Sequence, residues 1–111
     1  VQRPPFQITA DNASLTVPDN LSYVELDTPA SQTIDIINTP WWEGRRIVFR
    51  NKPGSAANVT WRDNQTGSNI KLGASALTRT FAPDGFIEFI AARDSSGGEF
   101  WYELKTVFTG F

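Results

Sequence analysis

Pro83-Asp84-Gly85 followed by Phe86-Ile87-Glu88-Phe89-Ile90-Ala91-Ala92 is the most apolar stretch of the chain. A short run of β-branched and aromatic residues behind a Gly-containing turn reads as a buried strand. A second apolar run, Leu77 to Phe81, lies on the other side of Asp84-Gly85. That spacing predicts a β-hairpin across the turn. Working outward, Arg45 to Arg50 alternates, with Ile47 and Phe49 on one face and Arg46, Val48 and Arg50 on the other. Asn58 to Arg62 sets Val59 and Trp61 on one face, and Leu21–Leu26, Thr33–Ile37 and Ile70–Leu72 are further short strands. The last, Glu99 to Phe108, places Phe100, Tyr102, Leu104 and Phe108 toward the core and Glu99, Glu103 and Lys105 opposite. Ser96-Gly97-Gly98 before it is a second hairpin signal.

Seven prolines, at 4, 5, 18, 29, 40, 53 and 83, leave little room for a long helix. No segment sustains a 3.6-residue apolar period. Short strands separated by Gly-, Asp- and Asn-rich turns define an all-β domain, a small antiparallel β-sandwich or barrel. The 111 residues suffice for one domain. Residues 21–111 form the sandwich, and residues 1–20 form an N-terminal arm or edge strand. In that segment Phe6/Ile8 and Leu15/Val17 each have strand spacing. No Met is present; a trimmed initiator before Val1 and excision from a longer chain both account for this.

The chain has no Cys and no His. Thiolate chemistry, an imidazole base, a Ser-His-Asp triad and Cys- or His-ligated metals are therefore excluded. No phosphate-binding glycine pattern and no EF-hand spacing occur. No cofactor or metal is expected. The four N-x-[ST] sites, at Asn12, Asn20, Asn58 and Asn64, read as turn chemistry. Paired carboxylates are the remaining catalytic device, with Glu88 and either Glu99 or Glu103 as the pair. A chain this short leaves little scope for a deep cleft beside a core, and a binding role is expected over an enzymatic one.

Net charge is −2 and the pI is near 5.0, which argues against nucleic-acid binding. No apolar run is long enough to span a membrane. The charge is segregated. Residues 1–43 hold six acids and one base, and residues 44–62 hold Arg45, Arg46, Arg50, Lys52 and Arg62 with no acid. The two blocks are either solvated strand faces or partners, within a subunit or across an interface.

Fourteen aromatic residues are many for one small domain. Trp41-Trp42 follows Pro40 in a connecting segment, and adjacent residues of an extended chain point to opposite sides. One of the two is therefore expected at the surface, as an interface or ligand contact. A sugar-stacking platform of Trp41, Trp42 and Trp101 is the competing use of these rings.

From Tyr23 onward the chain resembles a β-sandwich module of tailed-bacteriophage virion proteins: capsid decoration proteins, head fibres and tail fibres. The likeness rests on Ile36-Ile37-Asn38, Gly44–Asn51 (GRRIVFRN) and Val59-Thr60-Trp61. It continues through Gly67–Ala74 (GSNIKLGA), Pro83–Ile90 (PDGFIEFI) and Trp101-Tyr102-Glu103-Leu104. Trp41-Trp42 and residues 1–20 depart from the pattern. The resemblance implies a homotrimer without enzymatic activity, located in the virion. A trimeric decoration (cement) protein on the outer capsid surface, binding the major capsid protein or another virion protein, is the expected role. A tail-fibre or head-fibre module that binds a receptor or host surface glycan is the alternative. Phe6, Ile8, Trp41 and Trp42 are the expected contact residues, with Arg45 and Arg46 as ionic partners.

Overall fold

A strand whose alternate residues are apolar can bury only one side, and two such sheets must close on each other. The computed structural model follows this rule. It describes residues 14–17, 21–27, 30–52, 57–63 and 65–108. The strands are β1 (Ser14–Thr16), β2 (Tyr23–Leu26), β3 (Gln32–Ile34), β4 (Ile36–Asn38) and β5 (Arg46–Asn51). They continue as β6 (Val59–Arg62), β7 (Ile70–Lys71), β8 (Thr78–Phe81), β9 (Phe86–Arg93) and β10 (Glu99–Val107). A five-stranded sheet, in the order β2-β5-β9-β10-β7, packs on a three-stranded sheet, β3-β6-β8. The pair β1-β4 closes one side. The protein is all-β.

The core is aromatic. Trp61 of β6 meets Phe49 of β5 and Phe89 of β9 across the sandwich, with ring centroids 4.9 and 5.3 Å apart, and lies over Phe81 of β8. Ile47, Phe49, Val59 and Trp61 are buried, on the sides their alternation assigns. Leu15 and Val17 are buried as well, so part of the first twenty residues is an edge of the folded body. Phe6 and Ile8 lie outside the described residues.

Three local readings are corrected. Leu77–Phe81 and Phe86–Ala92 do not form a hairpin. β8 pairs with β6, and β9 pairs with β5 and β10. Pro83-Asp84-Gly85 is an arch between sheets, with Asp84 at φ 74° where a type II turn requires a positive angle. Gly85 is needed there for space, because a Cβ would come within 2.8 Å of Phe81 Cβ and of the Val107 carbonyl. Second, Thr33–Ile37 is two strands. Ile34 belongs to the three-stranded sheet and Ile37 to the β1–β4 pair, and the chain changes sheets at buried Asp35. The Arg62 fork holds that carboxylate, Nε donating at 2.6 Å and Nη2 at 2.7 Å. Third, the last strand is turned over. Trp101 is 1% exposed, whereas Phe100 and Tyr102 face outward and Leu104 is 46% exposed. A bulge between Glu103 and Lys105 reverses the facing beyond it.

The sheets are mixed. β1–β4, β2–β5, β3–β6 and β7–β10 pair in parallel, and β5–β9, β9–β10 and β6–β8 are antiparallel. Alternation is the same in both geometries, which is why the pattern of apolar residues did not separate them.

Candidate binding surface

Each sheet has an outer face, and cross-strand register specifies what lines it. On the three-stranded sheet Thr33, Thr60 and Thr80 form one row. Arg62 and Thr78 form the next, and the Thr60 and Thr80 hydroxyls share a hydrogen bond of 2.7 Å. This face is composed for water. On the five-stranded sheet one row is Arg46, Ile90, Tyr102 and Lys71. The next is Tyr23, Val48, Glu88 and Lys105, and the third is Glu25, Arg50, Phe86 and Val107. Ala92 and Phe100 complete the face. Val48, Phe86, Ile90, Ala92, Phe100 and Tyr102 are all partly exposed, and Tyr23 is 44% exposed. Charged side chains are interleaved with them: Arg46, Lys71, Glu88, Lys105, Glu25 and Arg50 stand in the same rows.

Toward β2 this face sinks into a groove of about 310 Å³ lined by Tyr23, Val48, Arg50 and Phe86. The parallel register sets Glu25 beside Arg50, and the guanidinium also binds Asp84. The Tyr23 hydroxyl donates to Glu25 at 3.1 Å. Burial, then contact with Glu25, pushes the Tyr23 pKa up against the opposing pull of Arg50. The groove is thus apolar at its floor and charged along one rim.

At the other end of β5 the segment Thr39–Arg45 crosses the end of the sandwich. Arg45 was expected to be an ionic partner for a neighbour, but it is only 4% exposed. Its Nη1 donates to Thr39 Oγ1 at 2.8 Å and to the Pro40 carbonyl, and its Nη2 donates to the Leu21 carbonyl at 2.7 Å. Desolvation pulls its pKa below the usual guanidinium value. Its planar charge lies between two indoles, 5.0 Å from Trp42 and 5.7 Å from Trp101. Such contacts strengthen when desolvated. Trp41 packs on the core, donates Nε1 to the Phe100 carbonyl at 3.3 Å, and carries Arg93 over its ring. Trp42 is the exposed member of the pair, at 47%. Arg46 is exposed and has no ion-pair partner among the described residues.

The acidic first third and the basic middle meet within the subunit. Glu25–Arg50, Asp27–Lys52 and Asp35–Arg62 are ion pairs. They follow from the parallel pairing of β2 on β5 and of β3 on β6.

The carboxylates weighed as a catalytic pair are not brought together. Glu88 is on the outer face of β9, opposite Val48 and Lys105. Glu103 is opposite Phe89 on the inner side and bonds Arg79, Thr106 and the Gly73 amide. Glu99 pairs with Arg93 at 3.3 Å. Among the described residues no group of three or more acids could hold a metal ion. Trp101 is buried, so a three-tryptophan sugar platform is not assembled either.

No protein-family model, curated protein or solved structure matches the chain.

Proposed function

We propose that the chain is a structural protein of a tailed-bacteriophage virion, a trimeric decoration protein on the outer capsid surface that acts by binding alone. One observation carries the binding role: the outward positions of the three-stranded sheet are threonines and Arg62, whereas those of the five-stranded sheet interleave Val48, Phe86, Ile90, Phe100 and Tyr102 with charged side chains. A solvated outer face needs only the first composition, whereas the second gains free energy when another surface covers it, roughly 25 cal/mol per Å² of apolar area. The chain's likeness to phage sandwich modules supplies the virion setting and the trimer. Contacts made only in the assembled shell would favour assembly by linkage.

Sedimentation equilibrium of the purified chain tests the trimer. A species three times the 12.3 kDa chain mass is expected, and a persistent monomer would count against self-association. Immunogold labelling with antiserum against the chain tests the location. Gold on the heads of phage particles is expected. Gold confined to fibre tips would favour the alternative, a fibre module binding a receptor or glycan, for which Trp42 is the exposed tryptophan among the described residues. Particles without label would overturn the virion reading.

A further inference from the structure

The exposed indole and the groove lie at different places along β5, one before its first residue and the other beside Val48 and Arg50. We infer that they are the two halves of one head-to-tail contact: Trp42 of one copy seats in the Tyr23–Val48–Phe86 groove of the next. This rests on the trimer reading and names its interface.

Shape is the first support. Trp42 stands on a turn, Glu43-Gly44, and is held out by the Arg45 guanidinium at 5.0 Å. Arg45 is itself tied to three oxygens on two segments of chain. The ring is therefore positioned before any partner arrives, and little side-chain entropy remains to be lost on binding. The groove is concave, mostly apolar and flanked by an aromatic ring on each side, Tyr23 and Phe86.

Charge is the second. Around Trp42 stand Arg45, Arg46 and Glu43, one positive charge in excess. Around the groove stand Arg50, Glu25 and Asp84, one negative charge in excess. Arg46 of one copy then faces the Glu25 side of the next, a pairing that like-charged ends would forbid.

Topology is the third. A knob and a groove at different places on one molecule can meet twice across a twofold axis or pass head to tail around a closed ring, and the trimer reading requires the second. A face packed on its own twofold copy gives pairs.

Two variants that each destroy one half test the contact. Trp42→Ala removes the knob and Val48→Trp fills the groove. Each alone is expected to sediment as a monomer. Mixed in equal amounts, they retain one intact knob and one intact groove between them and are expected to form a two-chain species and nothing larger. Because Trp42 covers Arg45, Arg46→Glu is a further variant that leaves that stack intact; it is expected to weaken association tenfold or more in low salt, with the loss fading as salt screens it. A wild-type trimer that survives Trp42→Ala or Val48→Trp overturns this contact and leaves the trimer standing. Two monomeric variants that fail to complement each other show that Trp42 and the groove do not meet and overturn it too, as does a wild-type species of two chains, the twofold form of the exchange. A wild-type monomer at all concentrations removes both the contact and the trimer.

Discussion

The outer face of the three-stranded sheet and the outer face of the five-stranded sheet are built by the same alternation, from strands of one chain around one core. They differ in what fills the outward positions. Thr33, Thr60 and Thr80 form a row in which the Thr60 and Thr80 hydroxyls bond each other. Ile90 and the Tyr102 ring, adjacent on β9 and β10, present apolar surface instead. Threonine satisfies the pleated backbone at small apolar cost. The five-stranded sheet carries isoleucine, valine, tyrosine and phenylalanine on its outer side too, among charged residues, a composition that profits from being covered. The inner face of the five-stranded sheet is buried on folding, as Phe49 and Phe89 show, and under the proposed assembly Ile90 and Tyr102 of its outer face are covered as well.

That difference can be broken. The largest effect is expected on the inner side. Trp61→Ala opens a cavity among Phe49, Phe81 and Phe89 and should cost about 3–5 kcal/mol. Against a total of roughly 5–15 kcal/mol, urea unfolding should show a chain near its limit of stability. Gly85→Ala is next. The added methyl meets a Cβ and two backbone carbonyls, none of which can swing away, and about 1–3 kcal/mol is expected from the same measurement. A chain unchanged by it would mean that the arch between the sheets can shift.

Acid gives a smaller effect at the sandwich edge. Burial pushes the Glu103 pKa up, but hydrogen bonds from Arg79, Thr106 and the Gly73 amide outweigh it and hold the group below its ordinary value. Its stabilising contribution is complete above the ordinary carboxylate pKa, about 4.3, and is lost as pH falls through the lower folded value. Thermal unfolding between neutral pH and the acid range should therefore show a decline that Glu103→Gln reduces. An identical slope in the variant would remove Glu103 from the account.

The smallest effect on folding sharpens the comparison most. Ile90→Lys and Thr60→Lys each place a charge on the outer face of a central strand. Both should leave the unfolding midpoint of the monomer within about 0.5 kcal/mol. Only Ile90→Lys should abolish the trimer in sedimentation. If both substitutions dissociate it, or neither does, the two faces are not distinct in function.

Strand content was legible in the sequence because proline, turn residues and period-two runs act within a few residues of each other. Ile47, Phe49, Val59 and Trp61 were assigned to the interior by alternation alone, and the structure buries all four. The exposure of one tryptophan of the pair followed from the same geometry, and Trp42 is that residue. Other features resisted. Asp84-Gly85 marks a turn, but a turn between paired strands and an arch between sheets use the same residues. In the last strand the two sides are both apolar, Phe100 and Tyr102 against Trp101, so alternation could not say which side is in. Arg45 looked like a surface charge because it sits in a basic block, and the other four members of that block are indeed ion-paired or exposed; nothing local announces that two indoles and three oxygens enclose it.

Composition and alternation by themselves determined that this is an all-β domain, sandwich or barrel, without thiol or imidazole chemistry and rich in aromatic side chains. These are short-range or summed properties of the chain. Only the tertiary structure decided where those side chains go. Parallel pairing of β2 on β5 brings Tyr23 and Glu25 beside Val48 and Arg50, and antiparallel pairing with β9 adds Phe86 to the same groove. Residues 23, 48 and 86 have no relation in sequence. They share a surface because strand order and register, set by the packing of the whole core, place them in adjoining rows.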